Sequence, residues 1–375
     1  MKIKAQTQSL IDEFFRLVRI SSESFNCGPI SDYIAGIFRT ELGAQVTVQK
    51  SGNIVNLVAK LAGSPGKTTL LLGAHMDTVS PGTNIRPVLV KDRITAESDT
   101  VLGADDKSAI AVYIQALRLC RDNKIPLRPL EFVFTDGEEM GLMGAKKLDY
   151  SLLTAGEGLC FDTSEDVGNI TIAAPTYIRY EIEVLGRAAH SGIEPEKGLN
   201  AVKLMAEIVR KLPTGRIDAE TTANIGTIRG GRQNNIVPDH CLVTGEIRSR
   251  SPSKVNRLLS SIRTMARTTV KKGGGKSRFN SEKEFQGFSF KENDAFLGSV
   301  VTAMKDCGFK PVLAKSNGGS DANVFNAAGI RTLNCAIGMQ NVHTNREYIR
   351  VRNLAGALRF LVRYISLNET EVECE

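Results

Sequence analysis

The most constraining feature of this 375-residue sequence is an apolar run at residues 70–72 that stops abruptly at a histidine and a carboxylate. Such a run predicts a strand buried on both faces, as in the sheets of α/β proteins. His75 would then lie just beyond the carboxyl end of the strand, where open α/β sheets collect their ligands. Asp77 would point to the same side and could accept a hydrogen bond from the imidazole. An isolated pair of this kind is more often a core histidine beside a turn aspartate, so the interpretation depends on whether the pattern recurs.

The pattern does recur, because three more apolar runs are each followed by potential metal ligands. The runs span residues 131–135, 158–161 and 332–337. The residues that follow them are Glu138 and Glu139, Asp162, and His343. A solvated loop could also hold two adjacent glutamates, but charges placed repeatedly at the ends of buried strands are typical of a binding site.

A further pair of carboxylates, Asp105 and Asp106, precedes a predicted helix at residues 109–119. A simple helix cap is one explanation, since acidic residues are favoured at helix N-termini. The alternative is that one of the two faces His75 as a metal ligand. Spacing alone does not decide which of the two it would be.

Between residues 175 and 287 the sequence changes to alternating, half-buried strands and two amphipathic helices. This pattern predicts a compact α+β domain inserted into the first one. The expected organisation is therefore an α/β domain formed by residues 1–174 and 288–375, interrupted by an insert at 175–287.

The composition excludes several classes of function. The net charge is +7, but the basic residues are dispersed, so we do not expect nucleic-acid binding. No apolar run reaches the length of a membrane span, and no secretory signal is recognisable, so we expect a cytoplasmic protein with no membrane partner. Seven scattered cysteines favour neither a disulfide framework nor a cysteine-based zinc site.

The candidate ligands form a mixed nitrogen and oxygen set of two imidazoles and three carboxylates. The set comprises His75, Asp105 or Asp106, Glu138 or Glu139, Asp162, and His343. It suits zinc, or less selectively cobalt or manganese. It is too large for one catalytic zinc and fits two ions about 3.5–4 Å apart that share one carboxylate. Such a pair would polarise a carbonyl while a nearby carboxylate carries a proton, which is the chemistry of amide hydrolysis.

The order of these motifs resembles the co-catalytic zinc peptidases that include peptidase T, glutamate carboxypeptidase and aminoacylase. The matching motifs are His75-x-Asp77, Gly103-Ala104-Asp105-Asp106-Lys107, Asp136-Gly137-Glu138-Glu139-Met140-Gly141, Phe161-Asp162, His190 and His343. The resemblance covers nearly the whole chain. It implies an α/β zinc-peptidase catalytic domain, a mixed sheet with helices on both faces, and an inserted α+β lid and dimerisation domain.

The resemblance, and not the spacing, implies individual roles. It implies a bridging carboxylate from Asp105 and two terminal ligands for each ion, His75 with Asp162 and Glu139 with His343. Glu138 would be the general base, and Asp77 would orient His75.

The resemblance also implies roles for residues outside the metal set. His190, in the insert, would reach the neighbouring subunit's active site and stabilise the oxyanion, although a plain loop histidine is the alternative. The implied substrate-binding residues are Arg248, Asn234, Asn235 and Asp321. The fork of an arginine suits a carboxylate. A surface strand position for Arg248 and a helix N-cap at the segment containing Asp321 are the alternatives.

Residues 105–107 and 135–139 are most similar to the peptidase T branch, which implies a homodimeric aminopeptidase that releases the N-terminal residue of tripeptides. An N-acyl amino acid deacylase or a carboxypeptidase with the same metals is the alternative within enzymes. An inactive, metal-binding dimeric scaffold is the alternative outside them, but it would have no use for Glu138 and His190.

Overall fold

The structure, a computed structural model, describes residues 2–367, with side chains from Gln6 onward in the first helix. The chain divides into two compact units. The first unit contains the chain up to Ile172, Phe290–Lys315, and the chain from Ser320 onward. The second unit contains Ala173–Ser289 and Ser316–Gly319.

The helices and strands are numbered in chain order. The α-helices are α1 (Lys2–Arg19), α2 (Gly28–Gly36), α3 (Ala104–Asp122), α4 (Met143–Lys147), α5 (Ala201–Val209), α6 (Pro252–Lys272), α7 (Ala295–Asp306), α8 (Asp321–Ala327) and α9 (Val351–Ile365). The strands are β1 (Gln45–Ser51), β2 (Ile54–Leu61), β3 (Leu70–His75), β4 (Pro87–Val90), β5 (Arg93–Ala96), β6 (Leu130–Thr135), β7 (Glu157–Cys160), β8 (Asn169–Ala174), β9 (Thr176–Leu185), β10 (Gly215–Asp218), β11 (Thr221–Gly230), β12 (His240–Ser249), β13 (Lys276–Phe285), β14 (Phe288–Ser289), β15 (Val312–Lys315), β16 (Arg331–Cys335), β17 (Met339–Gln340) and β18 (Tyr348–Arg350).

The large sheet of the first unit is mixed. Its order is β1-β2-β6-β3-β7-β16-β8, with β15 also paired to β8. The central strands β6, β3, β7 and β16 are parallel, whereas β1, β2 and β8 join antiparallel. Because His75 and Thr135 are register partners, β3 and β6 release their following loops at the same edge of the sheet.

Helices cover both faces of this sheet, which explains the continuous apolar runs of its central strands. On one face, the rings of Phe132 and Phe134 pack against the ring of Phe38, with centroids 4.9 and 5.3 Å apart. On the other face, a Cβ added at Gly73 would lie 2.8 Å from the ring of Phe325 in α8. The predicted α/β class, a mixed sheet between helices, is confirmed.

A smaller sheet of the first unit has the order β17-β18-β5-β4. Strands β17 and β18 pair antiparallel, so residues 341–347 form the loop of a hairpin. This loop carries His343. The sequence predicted neither short strand, because two or three residues are too few to show a periodic pattern.

The second unit is an antiparallel sheet, of order β10-β11-β12-β9-β13, that packs against α5 and α6. Burial alternates along β9 and β12, as expected for strands with one covered face. Its core includes Ile182, Met205 and Ile262, from the sheet and both helices. The predicted α+β character of the insert is confirmed. Within residues 2–367, no helix is both long and apolar enough to cross a membrane.

Candidate metal centre

Four of the candidate ligands of the first unit, His75, Asp105, Glu139 and His343, lie close together. His75 ends β3, and Glu138 and Glu139 follow β6. Asp105 lies at the start of α3, and His343 lies in the hairpin loop between β17 and β18. Two of these segments are ends of large-sheet strands, as the sequence indicated, whereas His343 belongs to the small sheet and does not directly follow the strand at 332–337.

Asp105 lies between the two histidines and faces each with a different oxygen. Its Oδ1 is 2.9 Å from Nε2 of His75, and its Oδ2 is 3.3 Å from Nε2 of His343. The side chain is largely buried, so the contacts are screened little by water. A carboxylate placed in this way has the geometry of a bridging ligand.

Glu139 completes a compact donor set. Its Oε1 is 2.9 Å from Nε2 of His343. Potential ligand atoms of His75, Asp105 and Glu139 all lie within 4.8 Å of one another. Imidazole nitrogens and carboxylate oxygens at this spacing suit zinc, so the residues fit the metal that the resemblance implies.

The histidines and Asp105 stabilise one another in their charged forms. Burial opposes protonation of His75, but hydrogen bonds to Asp105 and Asp77 outweigh it and hold the pKa well above its usual value. Hydrogen bonds to Asp105 and Glu139 raise the pKa of His343 to about 10. Burial would raise the pKa of Asp105, but the two imidazoles outweigh burial and lower it. Strongly shifted pKa values at one place are typical of functional sites.

Glu138 and Asp162 have pKa values shifted in the opposite direction. Burial raises the pKa of Glu138 well above its usual value, and the negative charge of Asp162 raises it further. Burial and the negative charge of Asp105 likewise raise the pKa of Asp162 well above its usual value. Both groups therefore hold a proton more readily than a carboxylate in water does.

Asp106 differs from its neighbour in every contact. Neither of its carboxylate oxygens accepts a hydrogen bond from the described part of the chain, although the residue is fully buried. The N-cap of α3 is Gly103, and no described side chain makes a capping hydrogen bond there. The interpretation of Asp105 or Asp106 as a helix cap is therefore wrong.

Asp77 binds the main chain of the glutamate loop. Its carboxylate accepts the N–H of Glu138 at 3.1 Å, the N–H of Glu139 at 3.3 Å and the hydroxyl of Ser24 at 2.7 Å. Nδ1 of His75 lies 2.9 Å from the carbonyl oxygen of Asp77 and 3.5 Å from its carboxylate. Asp77 therefore contacts His75 mainly through its main chain, and its carboxylate holds two neighbouring functional residues.

Comparison with known proteins gives the family. A model of the peptidase dimerisation domain of the M20 type matches residues 172–274, and a model of peptidase family M28 matches residues 56–152. The uncharacterised protein YqjE of Bacillus subtilis is 36% identical over 361 residues, which cover 95% of this chain and 97% of that protein. The crystal structure of aminopeptidase PepT from Bacillus cereus has a TM-score of 0.89 and 37% identity, and covers 96% of this chain and 98% of its own. A tripeptidase from Staphylococcus aureus has a TM-score of 0.89 and 31% identity, with coverage of 96% and 97%.

The chain belongs to the M20 peptidase family. The resemblance to peptidase T and its relatives is confirmed by these similarities, which extend over both units. As an M20 peptidase, the chain has a catalytic fold that supports peptide hydrolysis and an M20-type dimerisation domain.

Some residues of this M20 peptidase that shape the centre were missed by the sequence analysis. Asn334 donates from Nδ2 to the carbonyl of Asp162 at 2.6 Å and accepts its N–H at 2.9 Å. Glu347 accepts main-chain N–H groups at the start of α3. Glu347 follows His343 closely in sequence, but nothing in that spacing separates a buried acid from a surface one.

In the second unit, the structure brings His190, Asn234 and Asn235 together on two adjacent loops. His190 forms an isolated bridge with Ile236. The N–H of Ser191 donates to the carbonyl oxygen of Asn235 at 3.0 Å. The hydroxyl of Ser191 donates to the carbonyl oxygen of Asn234 at 3.3 Å. All three predicted residues are exposed, as is typical of residues that meet a ligand or partner.

The other two predicted substrate residues already have partners. The guanidinium of Arg248 binds both oxygens of Glu246, at 3.0 and 3.3 Å, and lies over the ring of Tyr177. Asp321, in the first unit, accepts a hydrogen bond from the hydroxyl of Thr135, and burial raises its pKa to about 6. The N-cap of α8 is the preceding serine, so Asp321 itself does not cap the helix.

Proposed function

We propose that this M20 peptidase is an aminopeptidase that removes the N-terminal residue from tripeptides, with two bound divalent ions as cofactors. The observation that carries the proposal is Asp105, whose two oxygens face different histidines. This is the arrangement that two ions sharing a carboxylate require. Solved relatives named as an aminopeptidase and a tripeptidase support small peptides as the substrate class.

The proposed ligands divide into two sets that share Asp105. One ion would be held by His75 and Asp162, and the other by Glu139 and His343. Zinc suits this donor set best, with cobalt or manganese as the alternatives. The bound ions would polarise the scissile carbonyl and lower the pKa of the attacking water.

Glu138 is the proposed proton carrier. Asp77 holds its main-chain N–H, so the start of the glutamate loop is fixed relative to β3. Burial and surrounding negative charge favour the protonated form of its carboxyl group. A raised pKa makes the ionised carboxylate a stronger base, so ionised Glu138 can take a proton from the attacking water and return it to the leaving amine.

We propose that residues 175–287 form a lid and dimerisation domain, which builds a homodimer. Nδ1 of His190 accepts the N–H of Gly192 at 3.2 Å, which leaves the N–H on Nε2 as the donor of the ring. That exposed N–H is a suitable donor for an oxyanion in the neighbouring subunit. A cytoplasmic location stays a prediction.

We propose that Arg248, with Asn234 or Asn235, binds the substrate carboxylate. Asp321 would lie on the side of the centre that meets the substrate. A substrate carboxylate would compete with Glu246 for the fork of Arg248. Charge-assisted pairs of this kind are strong enough for such competition to affect KM.

The test combines metal analysis with three substrates on the same purified protein. After reconstitution with zinc, we expect about two ions per chain. We also expect cleavage of a tripeptide from its N-terminus at least tenfold faster than of the matching dipeptide. Glu138→Gln should keep both ions and lose turnover. Cleavage of an N-acetyl amino acid alone would make the protein a deacylase, and no metal uptake would refute the centre.

A further inference from the structure

Glu347 is a buried acid whose carboxylate faces main-chain amides. The residue is 2% exposed. Its Oε2 accepts the N–H groups of Leu102 and Gly103 at 2.7 and 2.8 Å, and its Oε1 accepts the N–H of Asp105 at 3.1 Å. Three hydrogen bonds therefore join one carboxyl group to the segment that ends at the proposed bridging ligand.

No regular element fixes the backbone of this segment. Gly103 has a φ of 73°, in the left-handed region that favours glycine. Asp105 has a φ of −81° and a ψ of 104°, outside the helical range, although it is counted within α3. Amides in such a conformation need acceptors from elsewhere when they are buried. Glu347 supplies these acceptors.

Glu347 and His343 belong to the same hairpin loop. Within this loop, the N–H of Glu347 donates to the carbonyl of Thr344 at 3.1 Å, which fixes its geometry. The loop thus contacts Asp105 twice. Nε2 of His343 contacts the side chain of Asp105, and the carboxylate of Glu347 accepts the main-chain N–H of Asp105.

We propose that Glu347 is a positioning residue, which fixes Asp105 between the two histidines by binding the main chain in front of α3. The inference rests on the proposed di-metal function. Groups that orient metal ligands typically change metal affinity by about 10- to 100-fold when they are removed. Glutamine at position 347 would keep the shape, but it would replace one acceptor oxygen with an NH₂ group that faces an N–H donor.

Glu131 provides a matched control in the same unit. It is 3% exposed, and its carboxylate accepts the main-chain N–H groups of Thr154 and Ala155. Like Glu347, it accepts main-chain N–H groups, here from a loop without candidate ligands, and it also pairs with Lys60 at 3.3 Å. Glu131→Gln should therefore reproduce the cost of losing a buried anchor without disturbing the metal centre.

The experiment compares four full-length proteins: wild type, Glu347→Gln, Glu347→Asp and Glu131→Gln. For each, zinc affinity is measured by competition with a chelating indicator, and the melting temperature is measured on the metal-free protein. We expect Glu347→Gln to weaken zinc binding by about 10- to 100-fold. Glu347→Asp should weaken it less, because both acceptor oxygens are kept. Glu131→Gln should lower the melting temperature and leave zinc affinity within about threefold, since it lies outside the ligand segments.

The outcomes separate the inference from the proposed function. Two zinc ions in the wild type with unchanged affinity in Glu347→Gln would overturn the inference alone. Loss of the fold in both Glu347 variants, with Glu131→Gln still folded, would also overturn it, since Glu347 would then support the whole unit. A wild type that binds no zinc would overturn the proposed function together with this inference.

Discussion

Replacing Asp77 by asparagine perturbs the main-chain anchor of the glutamate loop without changing its size. Asp77 is fully buried, and its two oxygens accept the N–H groups of Glu138 and Glu139 and the hydroxyl of Ser24. Asparagine offers one acceptor oxygen, and its NH₂ group would face at least one of these three donors. At least one hydrogen bond to a charged acceptor is therefore lost.

The cost of Asp77→Asn follows from these contacts. A hydrogen bond to a charged group contributes about 1.5–3 kcal/mol, and the buried N–H left without an acceptor adds about 1 kcal/mol. We therefore expect a loss of about 2–4 kcal/mol. If this falls on the transition state, kcat decreases roughly 30- to 1000-fold. Misplacement of Glu138 should affect kcat more than KM, because a proton carrier acts in the chemical step.

The assay for Asp77→Asn is steady-state tripeptide hydrolysis on zinc-loaded protein of known metal content. Ser24→Ala is the matched control, since it removes the hydroxyl that binds Asp77 and leaves both amide contacts in place. We expect that control to lower kcat less than Asp77→Asn does, because both main-chain N–H groups keep their acceptor. A metal-loaded Asp77→Asn enzyme with a kcat close to that of wild type would refute the anchoring role.

Three further predictions test packing, buried charge and subunit sharing. Gly73→Ala would place a Cβ 2.8 Å from a ring in α8, so we expect a loss of about 1–3 kcal/mol in the free energy of unfolding, measured by denaturant titration. Arg118→Met removes an ion-pair partner of the buried Glu13 and should cost about 3 kcal/mol, and adding Glu13→Gln should recover part of it. Unchanged stability of Arg118→Met would show that the pair contributes little. Mixed dimers of His190→Ala and Glu138→Ala subunits should regain activity, and verified mixed dimers without activity would contradict a shared site.

The sequence predicted the positions of the strand ends well, because fully buried parallel strands have a pattern that cannot be confused with a surface strand. All residues of β3 and β6 are buried; β3 ends at the candidate ligand His75, and the loop after β6 carries Glu138 and Glu139. The choice between Asp105 and Asp106 could not be made in this way. Adjacent residues in a non-helical backbone face different neighbours, and periodicity carries no information on such a segment.

The residues that hold the ligand segments by their main chain, here called anchors, escaped prediction for a different reason. Glu347 binds the amide of a residue 242 positions away, and Asn334 binds the main chain of a residue 172 positions away. Contacts of this kind depend on the folded topology and leave no local pattern. His75, Glu138, Glu139 and Asp162, in contrast, share a local signal, which is a polar side chain close behind an apolar run.

Some residues of the centre are candidate ligands and others only hold the ligand segments, and the charge of the centre gives a physical reason for this division. Buried carboxylates and imidazoles at this density repel or attract one another strongly, so small displacements of a loop change the electrostatic energy considerably. Three candidate ligand segments are accordingly held by a polar group from elsewhere in the chain: Asp105 by Glu347, Glu138 and Glu139 by Asp77, and Asp162 by Asn334. These anchors bind main-chain groups, which leaves the ligand side chains free to face one another. A centre built in this way keeps its geometry through contacts to the main chain of its ligand segments.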